Sequence, residues 1–185
     1  MKKRCQWVSS AQIDMDYHDN EWGIPIYDKF KLFEFLILEG MQAGLSWITI
    51  LKKRESYRLA FDNFNPYKIA QYNEEKIAKL LENPGIIRNR AKVNAIINNA
   101  KCYIQLEQQG IDFSAYLWAF VDGEPKINHW KTHTDIPTTN VNAIAMAKSL
   151  KASGFKFVGE TICYAFMQAV GMVNDHTKDC FRYKS

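Results

Sequence analysis

The run KLFEFLILEGMQAGLSWITIL (residues 31–51) decides the fold. Only two of its twenty-one residues are acidic, Glu34 and Glu39. Residues 29–39 and 45–61 carry apolar side chains at helical spacing, so two helices are expected, parted by a break over Gly40 to Gly44. Glu39 then stands where a hydrophobic helix ends, eight residues before Trp47. A carboxylate in apolar surroundings must be neutralised, paired, or matched to an incoming cation.

Outward from that run the pattern reads as helix after helix. Asn65 with Pro66 opens one short helix, and Asn73 precedes another over EEKIAKLLEN with acids in its first turn. After Pro84-Gly85 a long amphipathic helix runs until Gly110. FSAYLWAFV is a short apolar helix, and DGEPKINHWKTHTDIPTT reads as a surface loop. Two further helices end at Gly154 and Gly171. No run of alternating strands and no internal repeat interrupts the series, so the expected class is all-α.

At 185 residues the chain fits one domain with a real core. No stretch has the roughly 20 apolar residues of a membrane span, and MKKRCQW has no apolar stretch behind its charges, so a cytoplasmic protein is expected. The net charge of +4 is unevenly spread: Lys and Arg against Asp and Glu number 5 to 7 in residues 1–48, 11 to 6 in 49–110 and 8 to 7 in 111–185. Arg88, Arg90, Lys92 and Lys101 fall in a stretch free of acids. Two readings of it stand, a solvated helix face and a phosphate-contacting surface.

Cys5, His18, His176 and Cys180 make a Cys2His2 set, the composition of a closed tetrahedral zinc site. His-x3-Cys is expected to put both side chains on one face of a helical turn. The other half, Cys-x12-His, is not a standard spacing, so a buried small thiol and a surface histidine remain the alternative. Four protein ligands would leave no open position, making such a site structural. A zinc nucleobase deaminase would carry His-x-Glu and Pro-Cys-x-x-Cys, neither of which occurs. Cys102 and Cys163 fit ordinary buried helix positions. In LLENPGIIRNRAKVNAII a tight turn joins a helix to a basic helix, an arrangement suited to duplex backbone contact, although Ile87 stands where such hairpins usually have a second glycine.

The stretches CQW, YHDNEWG (17–23), LEGMQAGLSWITILKKRE (38–55), GIIRNRAK (85–92), GFKFVGETICYAFMQAVGMVNDH (154–176) and Cys180 together resemble the DNA-3-methyladenine glycosylase I family over essentially the whole chain. The resemblance implies a helix-hairpin-helix glycosylase over 1–185 as a single unit, with the hairpin at 83–92 and the terminal segments 1–28 and 172–185 joined by one structural zinc ion. It implies hydrolysis of the N-glycosidic bond of 3-methyladenine in double-stranded alkylated DNA by a monomer, with water as nucleophile, leaving an abasic site. The zinc ligands would be Cys5, His18, His176 and Cys180, and the base pocket Glu39, Tyr17, Trp47, Trp7 and Trp22. Gly44 and Leu45 would enter the DNA, and Gly85, Ile86, Ile87 and Arg88 would meet phosphate. Some relatives carry an aromatic residue where Asp14 stands, which puts that wall of the pocket in doubt. The wider superfamily commonly uses a catalytic aspartate beyond the hairpin; this family does without it, and Asp112 is not expected to take that part. A zinc-stabilised helical module that binds nucleic acid without catalysis is the rival reading, but it leaves Glu39 unexplained.

Overall fold

A computed structural model describes residues 2–183; Met1, Lys184 and Ser185, which belong to the expected terminal segments, lie outside the described residues. The chain order is α1 (Gln12–Asn20), α2 (Lys29–Gln42), α3 (Trp47–Ala60), α4 (Pro66–Ile69), α5 (Glu74–Glu82), α6 (Arg90–Gln108), α7 (Phe113–Trp118), α8 (Val141–Ala152) and α9 (Glu160–Ala169). Two two-residue strands, β1 (Lys126–Ile127) and β2 (Val173–Asn174), pair in parallel. No helix among the described residues is long and apolar enough to cross a membrane.

Helix α2 is apolar on all sides and is accordingly enclosed, packing on α3, α6, α7 and α9, with every residue from Leu32 to Met41 buried. Asp28 caps its start, its carboxylate accepting from the amides of Phe30 and Lys31 at 3.0 and 2.8 Å. The two acids of the opening run have opposite fates. Glu34 is buried but paired, accepting from Arg58 Nε at 2.7 Å and Lys31 Nζ at 2.8 Å. Glu39 has no such partner among the described residues.

The expected break at Gly40 is not there. The helix continues to Gln42, and Gly40 is instead a point of close approach: a Cβ there would stand 3.1 Å from the carbonyl oxygen of Phe157, which holds a left-handed φ of 54°. The chain turns at Gly44, whose φ is +77°, and α3 begins at Trp47, two residues later than the periodicity suggested. Helices α4 and α5 start as read, at Asn65 and Asn73, and α6 starts two residues after the Arg88 expected; in each an asparagine side chain accepts from first-turn amides, Asn89 being the cap of α6. Helix α1 was not anticipated; it has mixed polarity and no side-chain cap.

The stretch read as a surface loop is tied down. Through β1 it pairs with the strand after α9, and Asp175, fully buried, accepts from Asn128 Nδ2 (2.7 Å), Trp130 Nε1 (2.8 Å), Tyr164 hydroxyl (2.6 Å) and Gln168 Nε2 (2.8 Å). Four neutral donors on one carboxylate fix the loop against α9.

Candidate functional site

One end of α2 opens into a cavity of about 240 Å³. That is smaller than the ~300–1,000 Å³ of drug-sized ligand sites and suits a single small ring system. The N-terminal segment contributes Trp7, α1 contributes Tyr17, and the turn after α1 contributes Trp22. Glu39 and Gln42 come from the last turns of α2, Trp47 from the first residue of α3, and Ala165 and Gln168 from α9. His133 and Ile136, from the loop between β1 and α8, close the remaining side.

The rings interlock. Trp7 meets Trp22 edge-on at 5.1 Å and Tyr17 at 6.4 Å, and Tyr17 leans on Trp47 at 5.4 Å. Into this lining projects Glu39, 4 % exposed, with no hydrogen-bond donor from any described residue on its carboxyl group. Burial without compensation pushes its pKa from the ordinary 4.5 up to about 8, so the empty pocket holds a neutral carboxylic acid at neutral pH. The Tyr17 phenol is likewise pushed up, first by burial and then by the negative charge of Glu39. Asp14 faces away, accepting from the Ser9 amide at 2.8 Å, and does not line the cavity. Asp112 serves as the cap of α7, accepting from the Ala115 amide at 2.8 Å.

Behind Trp7 and Trp22 lie Cys5, His18, His176 and Cys180, all buried, with their donor atoms within 4.8 Å of one another. Cys180 Sγ is 3.4 Å from His18 Nε2 and 3.6 Å from His176 Nδ1, and Cys5 Sγ is 3.5 Å from His176 Nδ1. A tetrahedral ion with metal–sulfur bonds of ~2.3 Å and metal–nitrogen bonds of ~2.0–2.1 Å spaces such donors by roughly 3.6 Å. The outer nitrogens are also engaged. His18 Nδ1 lies 2.8 Å from Asp19, which two guanidinium nitrogens of Arg4 hold at 2.8 and 2.7 Å, and His176 Nε2 lies 3.2 Å from the Trp22 carbonyl. This is the outer arrangement that orients metal-binding imidazoles. The His176–Cys180 segment is a non-helical turn closed by the Cys180 amide on the Thr177 carbonyl at 2.8 Å, not the helical turn its spacing suggested. The cluster and cavity share a wall: Trp22 packs on His176 at 4.7 Å and Trp7 on His18 at 5.5 Å.

At the mouth, Gly44 and Ser46 are exposed and Leu45 is 39 % exposed, two residues from Trp47. The hairpin between α5 and α6 presents Arg88 and Arg90 to solvent, whereas Ile86 is buried in the core. Its turn amides are largely committed: Gly85 N–H donates to Asn83 Oδ1 at 2.8 Å, Ile86 N–H to the Asn83 carbonyl at 3.4 Å and Ile87 N–H to the Tyr57 hydroxyl at 3.1 Å. Those of Arg88, Arg90 and Ala91 have no acceptor among the described residues, and with the exposed Arg88 and Arg90 they make up the hairpin's free donor face. Lys92 is also not part of that face. It is buried and points inward.

Sequence reasoning missed His133 and Ile136, and also Gln42, Ala165 and Gln168, as lining residues. The first two lie in a segment with no periodicity to place it. Gln42 and Gln168, polar residues beside apolar runs in α2 and α9, were the signals available.

A family model for methyladenine glycosylases matches residues 7–183. The chain is 52% identical to a DNA-3-methyladenine glycosylase 1 of Escherichia coli (strain K12), over 98% of this chain and 97% of that one. Among solved structures it superposes on a crystal structure of 3-methyladenine DNA glycosylase I with TM-score 0.97 and 53% identity, covering 98% of this chain and 100% of the other. It also superposes on a Staphylococcus aureus 3-methyladenine DNA glycosylase I, solved to explain recognition of 3-methyladenine, with TM-score 0.95 and 40% identity over 98% and 97% of the two chains.

Proposed function

Because this chain belongs to the methyladenine glycosylase family, we propose that its aromatic cavity is the base pocket of a DNA repair glycosylase acting on alkylated DNA. The enzyme excises 3-methyladenine, releasing the free base and starting base-excision repair. The carrying observation is Glu39, a buried carboxyl group with no hydrogen-bond partner among the described residues, in a ring-lined cavity.

A base must leave the duplex stack to enter such a cavity, and a damaged base leaves at lower cost. Methylation at N3 makes adenine cationic in the DNA. Trp47 and Trp7 offer π faces to that cation, each contact worth roughly 0.5–2 kcal/mol when desolvated. Glu39 supplies the opposite charge, giving up its proton to solvent water as the cation enters. Unmodified adenine carries no charge to displace that proton, so recognition is electrostatic as well as steric.

Hydrolysis breaks the bond between the sugar C1′ and the base N9. The electron pair passes to the base, which becomes neutral, while water adds its oxygen to C1′ and releases one proton. Glu39 is suited to take up that proton, because its affinity for one returns when the cation disappears. Strong binding of the cationic ground state limits how much the pocket accelerates the step, so Glu39 serves mainly recognition. No covalent intermediate and no strand cleavage are involved.

The Cys5, His18, His176 and Cys180 cluster fits a structural zinc ion, supported by donor spacing and by the Asp19 and Trp22 partners of the two rings. When bound, the ion would tie the two terminal segments together and hold Trp7 and Trp22 in place. Gly44 and Leu45 enter double-stranded DNA to fill the gap left by the extruded base. The hairpin meets the phosphate backbone through the exposed Arg88 and the free amides of Arg88, Arg90 and Ala91, the Gly85, Ile86 and Ile87 amides being committed within the fold. The protein acts as a monomer in the cytoplasm.

The deciding experiment is incubation of the protein with methylated duplex DNA and identification of released bases by mass spectrometry. Release of 3-methyladenine from wild type, strongly reduced in Glu39→Gln, is expected. DNA binding without base release would overturn the enzyme reading in favour of a binding module.

A further inference from the structure

Helix α2 ends beside the turn that carries Leu45, and its last carbonyls need donors that the helix cannot supply. The carbonyl of Gly40 accepts from the Ala43 amide at 3.3 Å, and that of Gln42 from the Leu45 amide at 2.7 Å. Those of Met41 and Ala43 accept from Lys92 Nζ at 2.8 and 2.7 Å, a side chain 51 and 49 positions away on the first turn of α6. Lys92 is 6 % exposed, and its own amide is held by the Asn89 side chain at 3.0 Å. Its charge also sits at the negative end of the α2 dipole.

The hairpin that leads into Lys92 is fastened to α3 as well. Lys53 Nζ donates to the Pro84 carbonyl at 2.8 Å, the Ile87 amide to the Tyr57 hydroxyl at 3.1 Å, and Gly85 packs directly against Ser56. The turn bearing Leu45 is thus anchored at both its ends, α2 and α3, to the same hairpin.

We propose that Lys92 is a positioning residue for DNA entry, locking the Gly44–Leu45 turn to the hairpin so that backbone contact and insertion of Leu45 share one register. The inference rests on the base-excision reading given above. Lys92 touches neither base nor phosphate; it acts through the carbonyls of Met41 and Ala43. Its burial explains why a lysine in a basic, DNA-facing segment is withheld from solvent.

The test combines Lys92→Met, Lys92→Arg and Leu45→Ala, singly and in the Lys92→Met/Leu45→Ala pair. Binding of free 3-methyladenine reports the pocket, and kcat/KM on methylated duplex reports the complete event. Lys92→Met is expected to keep free-base affinity within about twofold while lowering kcat/KM roughly tenfold, with most of the loss restored by Lys92→Arg. In the Leu45→Ala background the same substitution should have little further effect, because the side chain it positions is gone. Parallel loss of base binding and excision, an undiminished effect without Leu45, or unchanged excision would each overturn the proposal. If Lys92→Met fails to fold, Lys92→Gln, which keeps an amide donor, enters the same cycle. Failure of the glycosylase reading itself would show separately, as no base release from wild type, and would remove this inference with it.

Discussion

Glu39→Gln should make the empty protein more stable while damaging its function. The wild-type carboxyl group titrates near 8 in the fold and at the ordinary 4.5 in the unfolded chain. A raised folded-state pKa means that the group's contribution to stability is fully present below 4.5 and is lost as pH rises toward 8. Between those values the unfolded chain gains from ionising and the native pocket does not. At about 1.36 kcal/mol per pH unit, the loss is about 3 kcal/mol between pH 4.5 and 7 and about 5 kcal/mol in all by pH 9. Glutamine has the same shape and no titration. The gap in melting temperature between Glu39→Gln and wild type should therefore widen by roughly 6–12 °C from pH 4.5 to pH 7, then level off above pH 8. Thermal melts of both proteins across pH 4.5–9, without ligand, measure this directly. A gap that is independent of pH would refute an uncompensated Glu39, as would a carboxyl resonance titrating below pH 6.

Three further outcomes are expected. Trp47→Ala should weaken excision of the cationic base by roughly 1–2 kcal/mol, read as a 5- to 30-fold fall in kcat/KM, with duplex affinity nearly unchanged. Arg88→Ala should lower affinity for undamaged and methylated duplex alike and reduce the slope of log K against log salt by about 0.9, measured by fluorescence anisotropy over a salt series. Metal analysis should find one zinc per chain, and Cys180→Ser should abolish it and lower the melting temperature by roughly 10 °C or more; an unchanged melt with no metal in wild type would remove the structural ion from the account.

What the sequence disclosed followed from how local each feature is. The caps at Asn65 and Asn73 are short-range hydrogen bonds, and the enclosure of α2 follows from its apolar composition, so the all-α arrangement could be read directly. The residue types at Glu39 and the four Cys and His positions announced unusual chemistry before any geometry was available. Gly40 was misread because its reason is tertiary: the carbonyl of Phe157 lies against it from a loop more than a hundred residues away. Lys92 was misread for the same reason, since a charged residue in a basic stretch gives no sign of two acceptors on another helix. The segment from Asp122 to Thr139 has polar composition and turn residues, and only Asp175 reveals why it is held in place. Helix α1, without a side-chain cap or a clean apolar stripe, offered little periodicity to detect.

The shared wall between the cluster and the cavity also fixes an order of events during synthesis. Trp7, Tyr17 and Trp22 emerge early, but their backing is His176 and Cys180, and the Gly23 and Ile26 amides dock on the carbonyls of Gln168 and Val170 at 3.1 and 3.0 Å. A nascent chain that has made α1 to α8 therefore holds Glu39 and Trp47 without the opposite side of the cavity. The cavity is complete only once the segment through Cys180 has been made. A truncated product that stops short of that point would carry the hairpin between α5 and α6 and the Leu45 turn with no finished pocket behind them.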